Sequence, residues 1–211
     1  MIKPHARELI CMNVDKVYDW IVKEMTFEVS PTGPVIFPGL TLDGPINNAA
    51  VTCNVVPSTT NPIVILNREN RKFTIDGKHV ALQQLTIQKN FIVTLIVTLA
   101  NGTVLTSETF PISRCEQVTL CAPEGTDVNI TYTDLDCFIC SVGTIIADST
   151  AGTITFSNLT ATITVCQSIQ STFPVTVEFL AEYCQPRAEF SLSCSPSSPP
   201  RTCSPIFPSN C

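Results

Sequence analysis

The segment that most restricts the fold covers residues 91–112, where apolar side chains alternate with period two around an Asn-Gly pair. Asn101-Gly102 suits a tight hairpin turn, because both central residues of a type I′ turn need positive φ. One face of the first strand carries Phe91, Val93, Leu95, Val97 and Leu99. The other face is half apolar, with Ile92, Thr94, Ile96, Thr98 and Ala100. These residues predict a hairpin whose first strand is covered on both sides.

A two-residue turn at this place sets Glu108 opposite Leu95, on the apolar face of the hairpin. A carboxylate is costly there unless it is paired. A bulge or a slipped register would remove the conflict.

Further alternating runs are separated by turn signals along most of the chain. Phe73 and Ile75 lead through Asp76-Gly77 to Val80 and Leu82, which predicts a second tight hairpin. Similar runs occupy residues 128–132, 154–165 and 175–183. Strands at this spacing predict an all-β, antiparallel β-sandwich with jelly-roll or immunoglobulin-like topology.

Two segments define the ends of this predicted sandwich. Residues 15–25, DKVYDWIVKEM, fit an amphipathic helix or a strand, and we favour a long strand because Val, Tyr, Trp and Ile prefer sheets. We expect an N-terminal arm over residues 1–13 and a sandwich over 14–183, which could divide into two packed β subdomains near residue 115. Residues 184–211, rich in Pro, Ser and Cys, are expected to form an extended C-terminal arm.

The cysteine content predicts an oxidising location outside the cell, whereas the N-terminal sequence does not look like a signal peptide. Eleven cysteines in 211 residues are typical of oxidised extracellular proteins. An odd number leaves at least one thiol free or bonded to another chain. The first 19 residues nevertheless lack the apolar run of a signal peptide. We therefore expect a chain that is made and used without conventional secretion or that has already lost its signal peptide.

The residue types needed for catalysis are scarce, so the sequence predicts no enzyme and no cofactor. His5 and His79 are the only histidines, and neither has a nucleophile motif beside it. No glycine-rich phosphate-binding loop is present. A net charge of −6 argues against nucleic-acid binding. The most apolar run, residues 91–100, is too short for a membrane-spanning helix.

Cys137-Phe-Ile-Cys140 is the motif with most chemical alternatives. We favour disulfides for its cysteines and predict no metal site. The alternatives are a zinc site formed with Cys115 and Cys121 and a redox pair, which would need a helix N-terminus that this β context does not offer.

The opening ICMNVDKVYDWIV, residues 10–22, resembles the "CVxKVYDW" beginning of some coat-associated proteins on bacterial spores. Together with the leaderless, cysteine-rich, Thr/Val-rich pattern, it makes the chain similar to coat, exosporium and spore-appendage subunits of endospore-forming Firmicutes. The resemblance implies synthesis in the mother cell and disulfide cross-linking during assembly. It also implies an N-terminal arm that bonds a neighbour through a cysteine in a place comparable to Cys11. The length and the C-terminal arm depart from that family's pattern.

We therefore expect a self-assembling structural subunit of a fibre or layer on the spore surface or outside the cell, with copies of itself or paralogous subunits as partners. The alternatives are a secreted or surface-displayed ligand-binding or adhesion module and a zinc-binding β module. Candidates for bonds between chains are Cys11, Cys184, Cys194, Cys203 and Cys211. Candidates for bonds within the chain are Cys53, Cys115, Cys121, Cys137, Cys140 and Cys166.

Overall fold

A computed structural model describes residues 8–75 and 77–181. These residues form twelve strands and contain no helix, so the all-β prediction is confirmed. The strands are β1 (Glu8–Val29), β2 (Val35–Ile36), β3 (Gly44–Ile46), β4 (Ala50–Pro57), β5 (Ile63–Ile75), β6 (Lys78–Thr98), β7 (Val104–Thr106), β8 (Phe110–Leu120), β9 (Asp127–Ser141), β10 (Thr144–Asp148), β11 (Thr153–Ser157) and β12 (Thr160–Ala181). Residues 15–25 lie within β1 and form a strand, as favoured above.

Residue contacts divide the chain into two compact units, Asn13–Val177 and a second that combines Met1–Met12 with Glu178–Cys211. Of the second unit the structure describes residues 8–12 and 178–181, the ends of β1 and β12. The predicted C-terminal arm, with Cys184, Cys194, Cys203 and Cys211, lies outside the described residues. The boundaries at 13 and 184 and the division near 115 stay predictions.

The largest sheet is built around β6, which is paired along both of its sides. On one side β5 pairs with residues 78–89 and β4 with residues 91–98. On the other side β8 pairs with residues 83–93 and β7 with residues 96–98. All four pairings are antiparallel, so β6 holds together a sheet that is three strands wide along most of its length.

Turns connect β6 to its neighbours at both places that the sequence predicts. Ile75 pairs with Lys78 across the first turn, where Gly77 has a φ of 73°. The second turn is one residue longer than predicted, because Leu99 N donates to Thr103 O at 2.8 Å and encloses three residues. Gly102 supplies the positive φ of 85° in this loop.

Glu108 is exposed, which corrects the strict register of the predicted hairpin. Val97 pairs with Leu105 near the turn, whereas Val93 pairs with Phe110 beyond it. The pairing therefore slips by one residue between these two points. Ser107 takes the buried position instead, and its Oγ accepts a hydrogen bond from Leu95 N at 2.9 Å. The slipped register that the sequence offered as an alternative is confirmed.

Strands β9 to β12 form one long hairpin that crosses between two further sheets. β9 and β12 pair in a sheet of order β1-β12-β9, whereas β10 and β11 pair in a sheet of order β2-β11-β10-β3. The chain passes from β9 to β10 at Gly143, which has a φ of 62°. A Cβ atom there would overlap the carbonyl oxygen of Ser157, so only glycine fits this bend.

The core lies between the β6 sheet and the other two sheets. The odd-numbered side chains of β6 from Leu85 to Val97 are at most 1% exposed. They contribute to three apolar clusters that follow one another along β6. The clusters also contain Ile169 of β12 near the beginning of β6, Ile163 and Val165 of β12 near its middle, and Ile145 and Ile154 of β10 and β11 near its end. This arrangement supports the sandwich prediction, while the jelly-roll or immunoglobulin-like topology stays a prediction.

A bulge in β9 adjusts the direction of its side chains. Asp134 pairs with Cys166 and Tyr132 with Gln167, so Thr133 is an extra residue on β9. Because of this extra residue, Tyr132 and Leu135 both pack against the core despite their odd separation.

Replacing Gly143 with alanine should lower the free energy of unfolding by about 3 kcal/mol. About 1–2 kcal/mol comes from the left-handed backbone, and the overlap with Ser157 adds a cost like that of overpacking, about 1–3 kcal/mol. Gly152→Ala is the matched control, because Gly152 has a similar φ of 65° and nothing within 4 Å of a new Cβ. Denaturant unfolding of both variants measures the difference, and equal losses would show that the overlap at Gly143 is unimportant.

Candidate functional site

One disulfide joins two facing sheets. Cys53 of β4 is bonded to Cys137 of β9, with their Cα atoms 5.7 Å apart, and the bond spans 84 residues of sequence. β4 lies at one side of the β6 sheet and β9 at one edge of the β1-β12-β9 sheet. The bond therefore closes one side of the sandwich.

The two cysteines of the CxxC motif lie on different faces of β9. Residues three apart on a strand point to opposite faces. Cys137 reaches Cys53, whereas Cys140 is exposed and its Sγ lies 2.9 Å from Thr162 Oγ1. The structure therefore does not bring Cys137 and Cys140 together with Cys115 and Cys121 as zinc ligands. Across the described residues, no three His, Cys, Asp or Glu side chains are grouped to hold a metal.

The other described cysteines are free thiols. Cys11, Cys115 and Cys140 are exposed, while Cys121 and Cys166 are partly buried. Within the described chain, the four predicted intramolecular candidates other than Cys53 and Cys137 have no disulfide partner, so their pairing stays a prediction. Three thiols are thus accessible to a cysteine of another chain.

β1 is an edge strand, because in the described part of the chain it pairs with β12 and with no second strand. It runs antiparallel to β12: Thr176 Oγ1 donates to Asn13 Oδ1 at 2.8 Å, and Thr26 lies beside Thr164. Every residue from Asn13 to Tyr18 is exposed, whichever face its side chain occupies. This stretch offers backbone groups and both faces of a strand to a partner.

The following part of β1 lies beside β8. Asp19 Oδ2 accepts a hydrogen bond from Cys121 N at 2.8 Å, and Arg114 Nη2 donates to Glu28 O at 2.8 Å. These contacts close the side of the sandwich opposite the disulfide. They also limit the accessible edge of β1 to the residues before Asp19.

Large apolar side chains are exposed along β1 and at the end of β12, and Val22 is the most exposed of them at 69%. Trp20 belongs to this set, and its Nε1 donates to Ser168 Oγ at 2.7 Å. The set comprises Leu9, Met12, Val14, Val17, Tyr18, Trp20 and Val22 on β1, and Phe173, Phe179 and Leu180 on β12.

A polar cluster interrupts the apolar core at the centre of the sandwich. Lys89 of β6 and Gln167 of β12 are both 0% exposed. Lys89 Nζ hydrogen-bonds to Glu116 Oε1 of β8 and to Gln167 Oε1, and Gln167 Nε2 donates to Glu116 Oε1 at 2.8 Å. Glu116 Oε2 forms an ion pair with Lys23 Nζ of β1 at 3.2 Å, outside hydrogen-bond geometry. Four strands thus contribute one polar side chain each.

The environment of this cluster shifts two pKa values. Burial lowers the pKa of Lys89, and the positive charge of Lys23 adds to this effect, against the opposing hydrogen bond and charge of Glu116. Burial alone would raise the pKa of Glu116. Hydrogen bonds from Lys89 and Gln167 and the charges of both lysines nevertheless leave that pKa below its ordinary value.

Sequence reasoning missed this cluster, although the signal was present for one member. Lys89 continues the odd-numbered face of Leu85, Ile87 and Phe91, so the alternation itself places a lysine among core residues. Glu116 and Gln167 could not be connected to it without knowing how the strands pair.

His79, the histidine that the sequence placed after the Asp76-Gly77 turn, lies at the start of β6. It is exposed, and its Nδ1 is 3.2 Å from Thr74 Oγ1.

The described residues include no helix that is long and apolar enough to cross a membrane. No family model, curated protein or solved structure matches this chain.

Proposed function

We propose that this protein is a self-assembling structural subunit of a disulfide-cross-linked fibre or layer, on a spore surface or elsewhere outside the cell. Its partners are further copies of itself or paralogous subunits, and it needs no cofactor. The observation that carries the proposal is β1, an edge strand with an exposed thiol at Cys11 and an uninterrupted exposed stretch from Asn13 to Tyr18.

An edge strand of this kind can accept a strand of another subunit. The N–H and C=O groups on the side of β1 that pairs with no other described strand can form main-chain hydrogen bonds with an added strand, and its side chains set the register. Val14 and Val17 are 37% and 49% exposed and would lose contact with water on pairing. The charged side chains of Asp15 and Lys16 favour a partner strand with complementary charges over unspecific pairing.

Disulfides between subunits would make such an assembly permanent. Cys11, Cys115 and Cys140 are exposed on three different strands, so one subunit can bond to more than one neighbour. Contacts that are not closed by symmetry extend into filaments or layers. The resemblance of residues 10–22 to coat-associated proteins supports the same function and the spore surface as its place.

The proposal is tested by the size of the oxidised protein. Under oxidising conditions, a denaturing gel without reductant should show a ladder of oligomers that collapses to monomer when reductant is added. Electron microscopy with and without reductant should show fibres or sheets before reduction. A protein that stays monomeric under oxidising conditions would contradict self-assembly and favour the ligand-binding or adhesion module.

Single cysteine variants should show which thiols form the ladder. We expect Cys11→Ser to reduce the oligomers above dimer severalfold, since an exposed thiol exchanges far more readily than a covered one. Cys166→Ser is the matched control, because Cys166 is free but partly buried, and its ladder should equal that of the wild type. Changing Cys11 together with Cys184, Cys194, Cys203 and Cys211 should shorten the ladder further and leave only the oligomers that the exposed Cys115 and Cys140 can link. Equal ladders from Cys11→Ser and the wild type would exclude Cys11 as a main link.

A further inference from the structure

The buried polar cluster has the composition of a reaction centre. A primary amine, a primary amide and a carboxyl group lie in mutual contact at Lys89, Gln167 and Glu116. The Lys89 and Gln167 side chains are fully buried, and the Glu116 side chain is 7% exposed. Replacing a buried ion pair by apolar residues of comparable size is often neutral or stabilising in proteins. The cluster therefore calls for an explanation beyond packing.

Amide exchange needs an amine in contact with an amide, and a proton carrier in contact with both nitrogens. Lys89 Nζ donates a hydrogen bond to Oε1 of Gln167, the oxygen that is bonded to the electrophilic Cδ atom. Glu116 Oε1 accepts hydrogen bonds both from Lys89 Nζ and from Gln167 Nε2. A single carboxyl oxygen thus connects the attacking nitrogen with the nitrogen that would leave.

We propose that Lys89 and Gln167 condense into an intramolecular isopeptide bond in the folded protein, with Glu116 as the catalytic proton carrier. The new amide joins β6 to β12 and so links two facing sheets covalently. The bond forms within a single chain and does not depend on self-assembly.

The atoms of this reaction balance without an oxidant or a further reactant. Lys89 passes a proton to Glu116, and the neutral Nζ attacks Cδ of Gln167 to form a C–N bond. Glu116 protonates Nε2 as the Cδ–Nε2 bond breaks, and it takes up the second proton that Nζ must lose. The products are a secondary amide, an ionised Glu116 and one ammonium ion, which carries away the remaining proton.

Burial favours each step. The core disfavours a charged amine, which is the reason for the lowered pKa of Lys89. Holding amine and amide in contact replaces a bimolecular step by an intramolecular one, worth many orders of magnitude in effective concentration. Exclusion of water protects the product from hydrolysis, and release of ammonia makes the condensation irreversible in dilute solution.

Gln167 is the acyl donor in this scheme because Glu116 cannot fill both roles. Glu116 Oε1 contacts both nitrogens, and Glu116 Oε2 lies 3.2 Å from Lys23 Nζ. These contacts favour the carboxylate form of Glu116, in keeping with its lowered pKa, and a carboxylate resists attack by an amine. The two possible products are distinguishable, because a Lys89–Gln167 bond releases ammonia whereas a Lys89–Glu116 bond would release water.

The test is the intact mass of the full-length chain after complete reduction. The folded wild type should be lighter than its sequence by the mass of one ammonia. Glu116→Leu and Lys89→Met should each have the full mass. Digestion of the wild type should yield a branched peptide that joins Lys89 to Gln167 and survives reductant. Full mass for the folded wild type would overturn the proposal, and a mass loss of one water with a branch at Glu116 would overturn the assignment of Gln167.

Two controls keep the result unambiguous. Closure of Asn101 to a succinimide ring at Asn101-Gly102 also releases ammonia, but it leaves no branched peptide and also occurs in Lys89→Met.

The second control addresses the case in which a variant fails to fold, and it uses the wild type alone. Chain that has never folded, recovered from inclusion bodies and kept in denaturant, should have the full mass, and the loss of ammonia should appear only on refolding. Loss of ammonia from Lys89 or Gln167 in the denatured chain would contradict catalysis by the folded core.

Discussion

Replacing Cys53 and Cys137 together with alanine should lower the free energy of unfolding by about 4 kcal/mol. The bond joins residues 84 apart in sequence, and closing a loop of this length removes about 4 kcal/mol of chain entropy from the unfolded state. It is also the covalent link between β4 and β9, at one edge of the sandwich. This is the largest stability change that we expect from substituting a cysteine of this chain. It is a large part of the total, because many domains are stable by only about 5–15 kcal/mol.

Denaturant unfolding of the oxidised protein measures this loss. The matched control is Cys140→Ala, because Cys140 lies three residues from Cys137 on the same strand but is exposed and free. Surface changes of that kind usually alter stability by about 0.5 kcal/mol or less. Adding reductant should destabilise the wild type and leave the double alanine variant unchanged. A double variant as stable as Cys140→Ala would show that the bond contributes nothing to the fold.

Much of the fold follows from side-chain alternation. The face of β6 that includes Phe91, Val93 and Leu95 is the face that the period-two pattern predicts, and all three are at most 1% exposed. The pattern succeeds here because one inward face is a strong constraint on a strand. The same reasoning favoured a strand for residues 15–25, where β-branched and aromatic residues outweigh a weak helical spacing.

The structure differs from the sequence predictions where pairing between distant segments decides which side chains face the core. The slip between Val97–Leu105 and Val93–Phe110 removes Glu108 from the core, and the sequence shows only that some adjustment is needed. The bulge at Thr133 alters which residues of β9 face inward. The partner of Cys137 depends on β4 lying beside β9, which no local signal contains. Cysteine connectivity cannot be deduced from spacing alone for the same reason.

At the candidate site, too, local features could be predicted from the sequence, whereas contacts between distant strands could not. The sequence predicts a strand over residues 15–25 and indicates Cys11 as a candidate for bonds between chains, but it does not show that β1 is an edge strand. The contact of Lys89, Glu116 and Gln167 requires three strands from two sheets to meet. Only the position of Lys89 within the alternating face is visible beforehand, and a lysine at such a position conflicts with the usual exposure of charged residues.

Glu116→Leu should be less stable than the double variant Lys89→Met/Glu116→Leu by about 3–5 kcal/mol. The single change leaves Lys89 fully buried without its carboxylate, and an uncompensated buried charge costs about this amount. In the double variant an apolar pair fills the same space. Neither variant contains Glu116, so neither forms the proposed isopeptide bond, and the comparison measures the buried amine alone.

The pH dependence of the two variants separates charge from packing. Burial lowers the pKa of Lys89, and without Glu116 no carboxylate opposes that shift. Between this lowered value and the unfolded pKa of about 10.4, the folded chain binds fewer protons than the unfolded chain. The stability of Glu116→Leu should therefore rise as pH increases from 7 toward 10. Lys23 and Tyr132, the other titratable groups facing the cluster, are present in both variants, so their contributions cancel. Denaturant unfolding at pH 7 and 9.5 should show the difference in unfolding free energy between the two variants narrowing. A difference that stays constant would mean that the folded and unfolded chains bind the same number of protons at Lys89, so that the cost of Glu116→Leu is one of packing.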